Sequence, residues 1–325
     1  MSIVAECMEK ITAGGQIDRD DALRLYAEAE QEELCAAADR LRGEFCGDGF
    51  DLCAIVNGKC GKCSEDCKYC AQSIHYPNPD LETYPMLSAD KLLADAKQHE
   101  AAGVLRYSIV TSGRRLGKKE VEELAAAIRM IKAETGLEVC ISLGLLDEDD
   151  FRILYEAGAS RVHCNLETSA RFFPSVCTTH SYQEKINTLK AAQRVGLGLC
   201  SGGILGLGET TEDRIDMVLT ARELGVKSVP VNLLNAISGT PFADNPRVSP
   251  EEARRCVAVF RFIIPDGAIR LAGGRGLLED KGAACFKSGA NAAITGDMLT
   301  TSGITVATDL QLLQKLGYQP RLLNR

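Results

Sequence analysis

Apolar and β-branched residues gather into short runs separated by longer stretches whose apolar positions recur every three or four residues. The short runs are DLCAIVNGK (51–59), RYSIVTSG (106–113), LEVCISLG (137–144), RVHCNLETS (161–169), LCSGGILG (199–206), SVPVNLLNA (228–236), AIRLAGG (268–274) and NAAITG (291–296). Each reads as a β-strand. Between them, stretches such as SADKLLADAKQHEAAG, KKEVEELAAAIRMIKAETG, SYQEKINTLKAAQRVG and SPEEARRCVAVFRFI carry the period of amphipathic helices, several opening on Ser and closing on Gly. A strand and a helix alternate about every 30 residues. Eight such units predict an α/β fold, a closed parallel (β/α)8 TIM-type barrel over residues 49–325, with an N-terminal helical segment, 1–48, packed outside it. An open doubly wound sheet is the competing architecture. In a barrel, chemistry belongs at the C-terminal ends of the strands.

Composition narrows the partners. The 325 residues carry 37 Lys and Arg against 45 Asp and Glu, a net charge of −8, and no basic run stands out that would neutralise a phosphate backbone, so no nucleic-acid partner is expected. The N-terminus MSIVAECMEKITAGG lacks a basic start followed by a long apolar stretch, and no window approaches the roughly 18 apolar residues that span a bilayer. The chain is therefore expected to be cytoplasmic, without a membrane partner. Fourteen cysteines in a chain of this length, in a reducing compartment, point to metal ligands or catalysts where they cluster and to small buried apolar residues where they are scattered. Cys7, Cys35, Cys46, Cys177, Cys256 and Cys285 fall in the second group.

The cluster is KCGKCSEDCKYCAQS (59–73), immediately after the first predicted strand. Read as two zinc knuckles, Cys60-x2-Cys63 and Cys67-x2-Cys70 stand too close, because such pairs are usually separated by about 15 residues. A ferredoxin pattern requires Pro after the last cysteine, and Cys70 is followed by Ala71. What remains is Cys63-x3-Cys67-x2-Cys70, three thiolates that can hold three irons of a cubane and leave the fourth open. Glu65 and Asp66, within this loop, read as solvated acids.

That loop, with Tyr69 just before its third cysteine, resembles the radical S-adenosylmethionine (SAM) enzymes. The resemblance narrows to the biotin synthases, through CSEDCKYCAQS, GLEVCISLG, HCNLETS, TTHSYQEKINTL, CSGGILGLGET, SVPVNLL, GTPFADN, IRLAGGR and CFKSGANAAITG. It implies a 4Fe-4S cluster on Cys63, Cys67 and Cys70 that binds SAM through its open iron, and a 5′-deoxyadenosyl radical that takes hydrogen from two unactivated carbons of dethiobiotin. It also implies an auxiliary iron-sulfur cluster that supplies the sulfur, a homodimer, and a flavodoxin or ferredoxin as electron donor. By residue-for-residue match, Tyr69, Asn165, Glu167, Lys185 and Asn232 are the expected SAM contacts, with Glu167 on the ribose hydroxyls; His163, Asn165 and Asn232 are the expected dethiobiotin contacts. Lys185 stands where the family commonly has Arg, and His163 where it has Asn. Other radical enzymes on this scaffold, of the hydrogenase-maturation or methylornithine type, are the second reading, and a plain iron-sulfur electron carrier the third.

The sharpest departure concerns the auxiliary cluster. In the family pattern a 2Fe-2S cluster takes cysteines from the second, third and fifth strands and an Arg from the seventh; Cys140, Cys200 and Arg270 match, but the second strand offers Ser108, a poor iron ligand. Cys164 has the wrong strand parity to face the interior. Cys53, deep in the first strand, is the expected replacement, giving Cys53, Cys140, Cys200 and Arg270, and the altered set is compatible with a four-iron cluster bearing an extra sulfide.

Overall fold

The computed structural model describes residues 1–323. In chain order its elements are α1 (Ile3–Thr12), α2 (Arg19–Glu28), α3 (Gln31–Cys46), β1 (Gly49–Lys59), α4 (Ala89–Ala101), β2 (Arg106–Thr111), α5 (Lys118–Glu134), β3 (Glu138–Ser142), α6 (Glu148–Glu156), β4 (Ala159–His163), α7 (Tyr182–Val195), β5 (Gly198–Cys200), β6 (Gly203–Leu205), α8 (Thr211–Glu223), β7 (Ser228–Leu233), α9 (Pro250–Ile263), β8 (Ala268–Leu271), α10 (Ala283–Phe286), β9 (Ala292–Thr295), α11 (Val306–Leu316) and β10 (Gln319–Pro320). Every pairing between strands is parallel, and β1 pairs with both β2 and β9, so the sheet closes on itself as a (β/α)8 barrel.

Helix starts follow capping chemistry. Ser88, Ser181 and Ser249 accept from backbone N–H groups at the starts of α4, α7 and α9, and Gly196 closes α7 at φ +98°. The helices bury one face against the apolar side chains that the strands turn outward, such as Leu52, Ile109, Val139 and Val162, and α1 to α3 extend the same hydrophobic core through Ile11, Leu25, Leu34 and Leu41.

Two predicted strands differ from those observed. The fourth run was expected over 161–169, yet regular pairing ends at His163, and Glu167 sits at φ +70°. The fifth run, 199–206, is divided into β5 and β6 by Ser201 and Gly202. The two irregularities face each other: Glu167 pairs with Gly203, its N–H donates to the Gly202 carbonyl at 3.0 Å, and Ile204 N–H donates to the Glu167 carbonyl at 3.0 Å. Short β10 was not foreseen; it adds to the start of β1 outside the barrel.

The barrel floor is held by one carboxylate. Asp51 is fully buried and accepts from the Arg270 guanidinium at 2.9 Å, from Arg106 at 3.2 Å and from the Leu323 N–H at 3.0 Å. Burial alone would raise its pKa, but Arg270 and Arg106 outweigh that and hold it well below the usual carboxylate range. Its folded-state pKa is depressed, so its stabilisation is present above the ordinary Asp value of about 4 and is lost only in much stronger acid. Asp51→Asn, which leaves buried guanidiniums uncompensated, is expected to cost about 3–5 kcal/mol in denaturant unfolding at neutral pH, with the difference from the parent shrinking only in strong acid. A variant within about 0.5 kcal/mol of the parent at neutral pH contradicts this account.

Candidate active site

Alternation along the staves decides which side chains reach the barrel interior. Cys53 and Ile55 from β1, Arg106, Ser108 and Val110 from β2, Cys140 and Ser142 from β3, Arg161 and His163 from β4, and Asn232 and Arg270 from β7 and β8 line one cavity of about 390 Å³. Its mouth is formed by the loop after β1, which contributes Cys63, Tyr69 and Cys70.

That loop is fastened at both ends of its path. Cys63 N–H donates to the Gln72 carbonyl at 3.0 Å and Ile74 N–H to the Cys63 carbonyl at 2.9 Å, closing the loop on itself. Asp66 fastens it to the segment before α7: its Oδ1 accepts from Thr178 N–H at 2.8 Å and Thr179 N–H at 3.1 Å, and its own N–H donates to Thr179 Oγ1 at 3.1 Å. Glu65 is buried and accepts from Thr179 Oγ1 at 2.8 Å, with His180 Nδ1 2.6 Å away. The expectation that Glu65 and Asp66 are solvated therefore fails, because the 178–180 segment supplies enough donors to satisfy a carboxylate without water. Cys67 does not join Cys63 and Cys70 in lining the cavity. Its thiol lies with Cys177 and His180, the three ligand atoms all within 4.8 Å of one another.

Above the cavity, Tyr69 OH donates to Glu167 Oε1 at 2.9 Å, while Glu167 Oε2 is buried with no hydrogen-bond partner. A buried carboxylate oxygen without a donor is costly unless a ligand supplies one, and vicinal hydroxyls of a ribose do so. The left-handed turn at Glu167 aims this carboxylate inward beyond the end of β4. Asn165 lines the same wall, its Oδ1 accepting from Gly202 N–H at 3.1 Å. Asn232 spends its amide on the scaffold, donating to the Gly203 carbonyl at 2.9 Å and accepting from Gly273 N–H at 2.9 Å. Lys185 is buried on α7 with its ammonium 5.6 Å from the centre of the Phe173 ring, and it is not among the residues that line the cavity.

At the floor, His163 Nδ1 lies 3.5 Å from Cys200 Sγ, and Cys200 Sγ lies 3.3 Å from Ser228 Oγ, which Arg270 Nε approaches at 3.5 Å. Ser108 pairs in register with Cys140. Burial pushes the Cys53 thiol up to about 12. Burial also opposes ionisation of Cys200, but the His163 hydrogen bond and the nearby Arg270 and Arg161 pull that thiol down to about 6. The thiols of Cys53, Cys140 and Cys200 meet the guanidiniums of Arg106, Arg161 and Arg270 in this part of the cavity. Three thiols are a donor set suited to an iron-sulfur group. Cys164 is packed in the hydrophobic core and Cys60 is buried in the loop base, neither lining the cavity.

A three-cysteine cubane loop over a closed parallel barrel is the arrangement of radical SAM enzymes, and residues 59–221 match the Radical SAM superfamily model. The chain is a radical SAM enzyme. Residues 230–319 match the Biotin and Thiamin Synthesis associated domain, and the chain is 57% identical over 98% of its length to Biotin synthase 2 of Corynebacterium diphtheriae, covering 96% of that protein. It is 53% identical over 98% of its length to the biotin synthase of Brachyspira hyodysenteriae, covering 95% of that protein, and 52% identical over 99% to that of Akkermansia muciniphila, covering 100%. The chain belongs to the biotin synthase family. In fold it is similar to the crystal structure of methylornithine synthase, with a TM-score of 0.84 at 19% identity over 97% of both chains. It is likewise similar to the hydrogenase maturase HydG of Carboxydothermus hydrogenoformans, with a TM-score of 0.83 at 16% identity over 98% of this chain and 79% of that one. At these identities the likeness is one of fold alone.

The contact between the two broken strands gives a direct test. A Cβ on Gly203 would stand 2.2 Å from the Glu167 carbonyl oxygen and 2.3 Å from Met217 Sδ. Gly203→Ala is expected to cost roughly 1–3 kcal/mol and, by displacing Glu167, to weaken SAM binding measured by calorimetry about tenfold, while the loop cluster still assembles. Unchanged SAM affinity in a folded variant would separate this turn from the site.

Proposed function

We propose that this biotin synthase closes the sulfur-containing ring of biotin from dethiobiotin, with Cys63, Cys67 and Cys70 holding the 4Fe-4S cluster and Cys53, Cys140, Cys200 and Arg270 holding an auxiliary iron-sulfur cluster that is consumed as the sulfur source. The carbons to be functionalised carry protons far too weakly acidic for any tuned His or carboxylate to remove. The loop cluster with SAM supplies, when bound, the one-electron chemistry that abstracts hydrogen from such carbons.

The chain's own residues bind, orient and shield. Glu167, kept in place by Tyr69 at one oxygen and open at the other, fits the ribose hydroxyls. Asn165 shares that wall and places its amide between cofactor and substrate. Asn232 ties β6 to the turn after β8, so its role is to fix the shape of that wall as well as to border the substrate. Ile55, Val110, Leu233 and Leu234 make the middle of the cavity apolar, which keeps water and stray hydrogen donors from the reacting carbons. His163, at the height of Cys200, stands between the substrate space and the floor thiols. Lys185 acts from behind Phe173, contributing positive charge to the cubane loop rather than a direct grip on the cofactor. A four-iron auxiliary cluster with an extra sulfide remains the form we assign to the altered ligand set. By family resemblance the enzyme works as a cytoplasmic homodimer reduced by a flavodoxin or ferredoxin; the described residues contain no helix long and apolar enough to cross a membrane.

The observation that carries the auxiliary assignment is the convergence of Cys53, Cys140, Cys200 and Arg270 on one cavity floor where the second stave offers Ser108. Anaerobic Cys53→Ala protein is expected to retain the loop cluster and form 5′-deoxyadenosine, yet lose the auxiliary iron and sulfide and form no biotin. An unaltered iron count with normal biotin yield contradicts the assignment. Replacing Cys63, Cys67 or Cys70 with Ala is expected to abolish SAM cleavage altogether, and near-parent formation of 5′-deoxyadenosine by any of the three would overturn the loop-cluster reading.

A further inference from the structure

The biotin-forming reading leaves Cys177 and His180 without a role, and both are buried beside a cluster cysteine. Cys177 Sγ lies 3.3 Å from His180 Nδ1 and 3.2 Å from Asp66 Oδ1, and the ligand atoms of Cys67, Cys177 and His180 all lie within 4.8 Å of one another. His180 is only 9% exposed, and the nitrogen it turns toward Cys177 is Nδ1. Glu65 Oε2, 2.6 Å from His180 Nδ1, adds an oxygen donor at the edge of the group.

Two thiols, an imidazole and a neighbouring carboxylate form a donor set for a divalent transition ion. Zinc bound tetrahedrally with Zn–S about 2.3 Å and Zn–N about 2.0–2.1 Å sets sulfur and nitrogen about 3.6 Å apart. The 3.3 Å between Cys177 Sγ and His180 Nδ1 is within a small side-chain adjustment of that value. The three ligands come from two segments already fastened together, residues 65–67 by Asp66 and Glu65 to residues 177–180. No backbone rearrangement is needed to bring them to one ion.

We propose that the chain lacking its loop cluster holds a single divalent transition ion, of the Fe(II) and Zn(II) class, on Cys67, Cys177 and His180, with Glu65 as the oxygen donor beside it. Cys67 belongs both to this site and to the cubane, so the two occupancies exclude each other. With Fe(II) bound, the site keeps one iron and one cluster thiolate in the loop before the cubane forms; with Zn(II) bound, it blocks assembly. The inference concerns the loop alone and does not depend on the ligands assigned to the auxiliary cluster.

The test is a Co(II) titration of the full-length chain, stripped of clusters with a chelator and kept anaerobic and reduced, followed by thiolate-to-cobalt charge transfer and tetrahedral visible bands. The parent is expected to bind one equivalent more than Cys177→Ser and one more than Cys67→Ser, whereas Cys63→Ser and Cys70→Ser bind as the parent does. Cobalt held at the barrel floor is identified by its survival in Cys177→Ser. Equal binding by Cys177→Ser and parent overturns the site, as does loss of the same equivalent in Cys63→Ser, which would assign the ion to the three-cysteine loop itself. Folding of Cys177→Ser is checked by restoring its loop cluster with iron and sulfide. In the unsubstituted chain, one equivalent of Zn(II) is expected to protect Cys67 and Cys177 together from alkylation while Cys63 stays reactive; protection of Cys63 in place of Cys177 contradicts the proposal.

Discussion

The structure depends on how much positive charge one buried carboxylate can organise. Asp51 fixes Arg270 and Arg106 at the closed end of the barrel and accepts from the Leu323 backbone as well, so the C-terminal segment and two staves meet at its oxygens. Arg161 reaches the same C-terminal segment, donating to the Leu323 carbonyl at 3.1 Å. The thiols of Cys53, Cys140 and Cys200 line the same cavity as these three guanidiniums. The setting of those thiols and the closing of the barrel floor are in this sense one electrostatic problem.

At the open end the problem is geometric. The cubane loop must present thiols to the cavity while keeping its own backbone satisfied, and it does so by borrowing donors from residues 178–180 through Asp66 and Glu65. Glu167, reached through a left-handed turn, is paired on one oxygen by Tyr69 from that same loop. Cofactor pocket and cluster loop thus share a hydrogen bond, and disturbing either is expected to move the other.

The period of the eight apolar runs was enough to read the barrel, and the spacing of Cys63, Cys67 and Cys70 enough to mark the loop, of which Cys63 and Cys70 reach the cavity. Interior positions along regular strands were also legible, since alternation alone puts Cys53 and Cys140 inside and Cys164 outside the cavity. The failures lie where regular geometry stops. Alternation cannot anticipate the break at Ser201 and Gly202 or the positive φ of Glu167, because both follow from the contact between two loops distant in sequence. Glu65 and Asp66 were misread for the same reason: their partners at Thr178, Thr179 and His180 lie more than a hundred residues away along the chain and carry no local signal. Lys185 matched a family position by sequence, and the place of its ammonium, 5.6 Å from the centre of the Phe173 ring, carried no sequence signal.

The central claim is that the floor thiols hold a second cluster which is used up as biotin forms. Mössbauer spectroscopy of the 57Fe-loaded full-length enzyme, recorded anaerobically before and after a single turnover with SAM, dethiobiotin and a one-electron reductant, tests it most directly. The account predicts two iron environments at the start and loss of the second in proportion to the biotin produced, with the loop cluster retained. A single iron environment throughout, or a second one left intact while biotin accumulates, would contradict it.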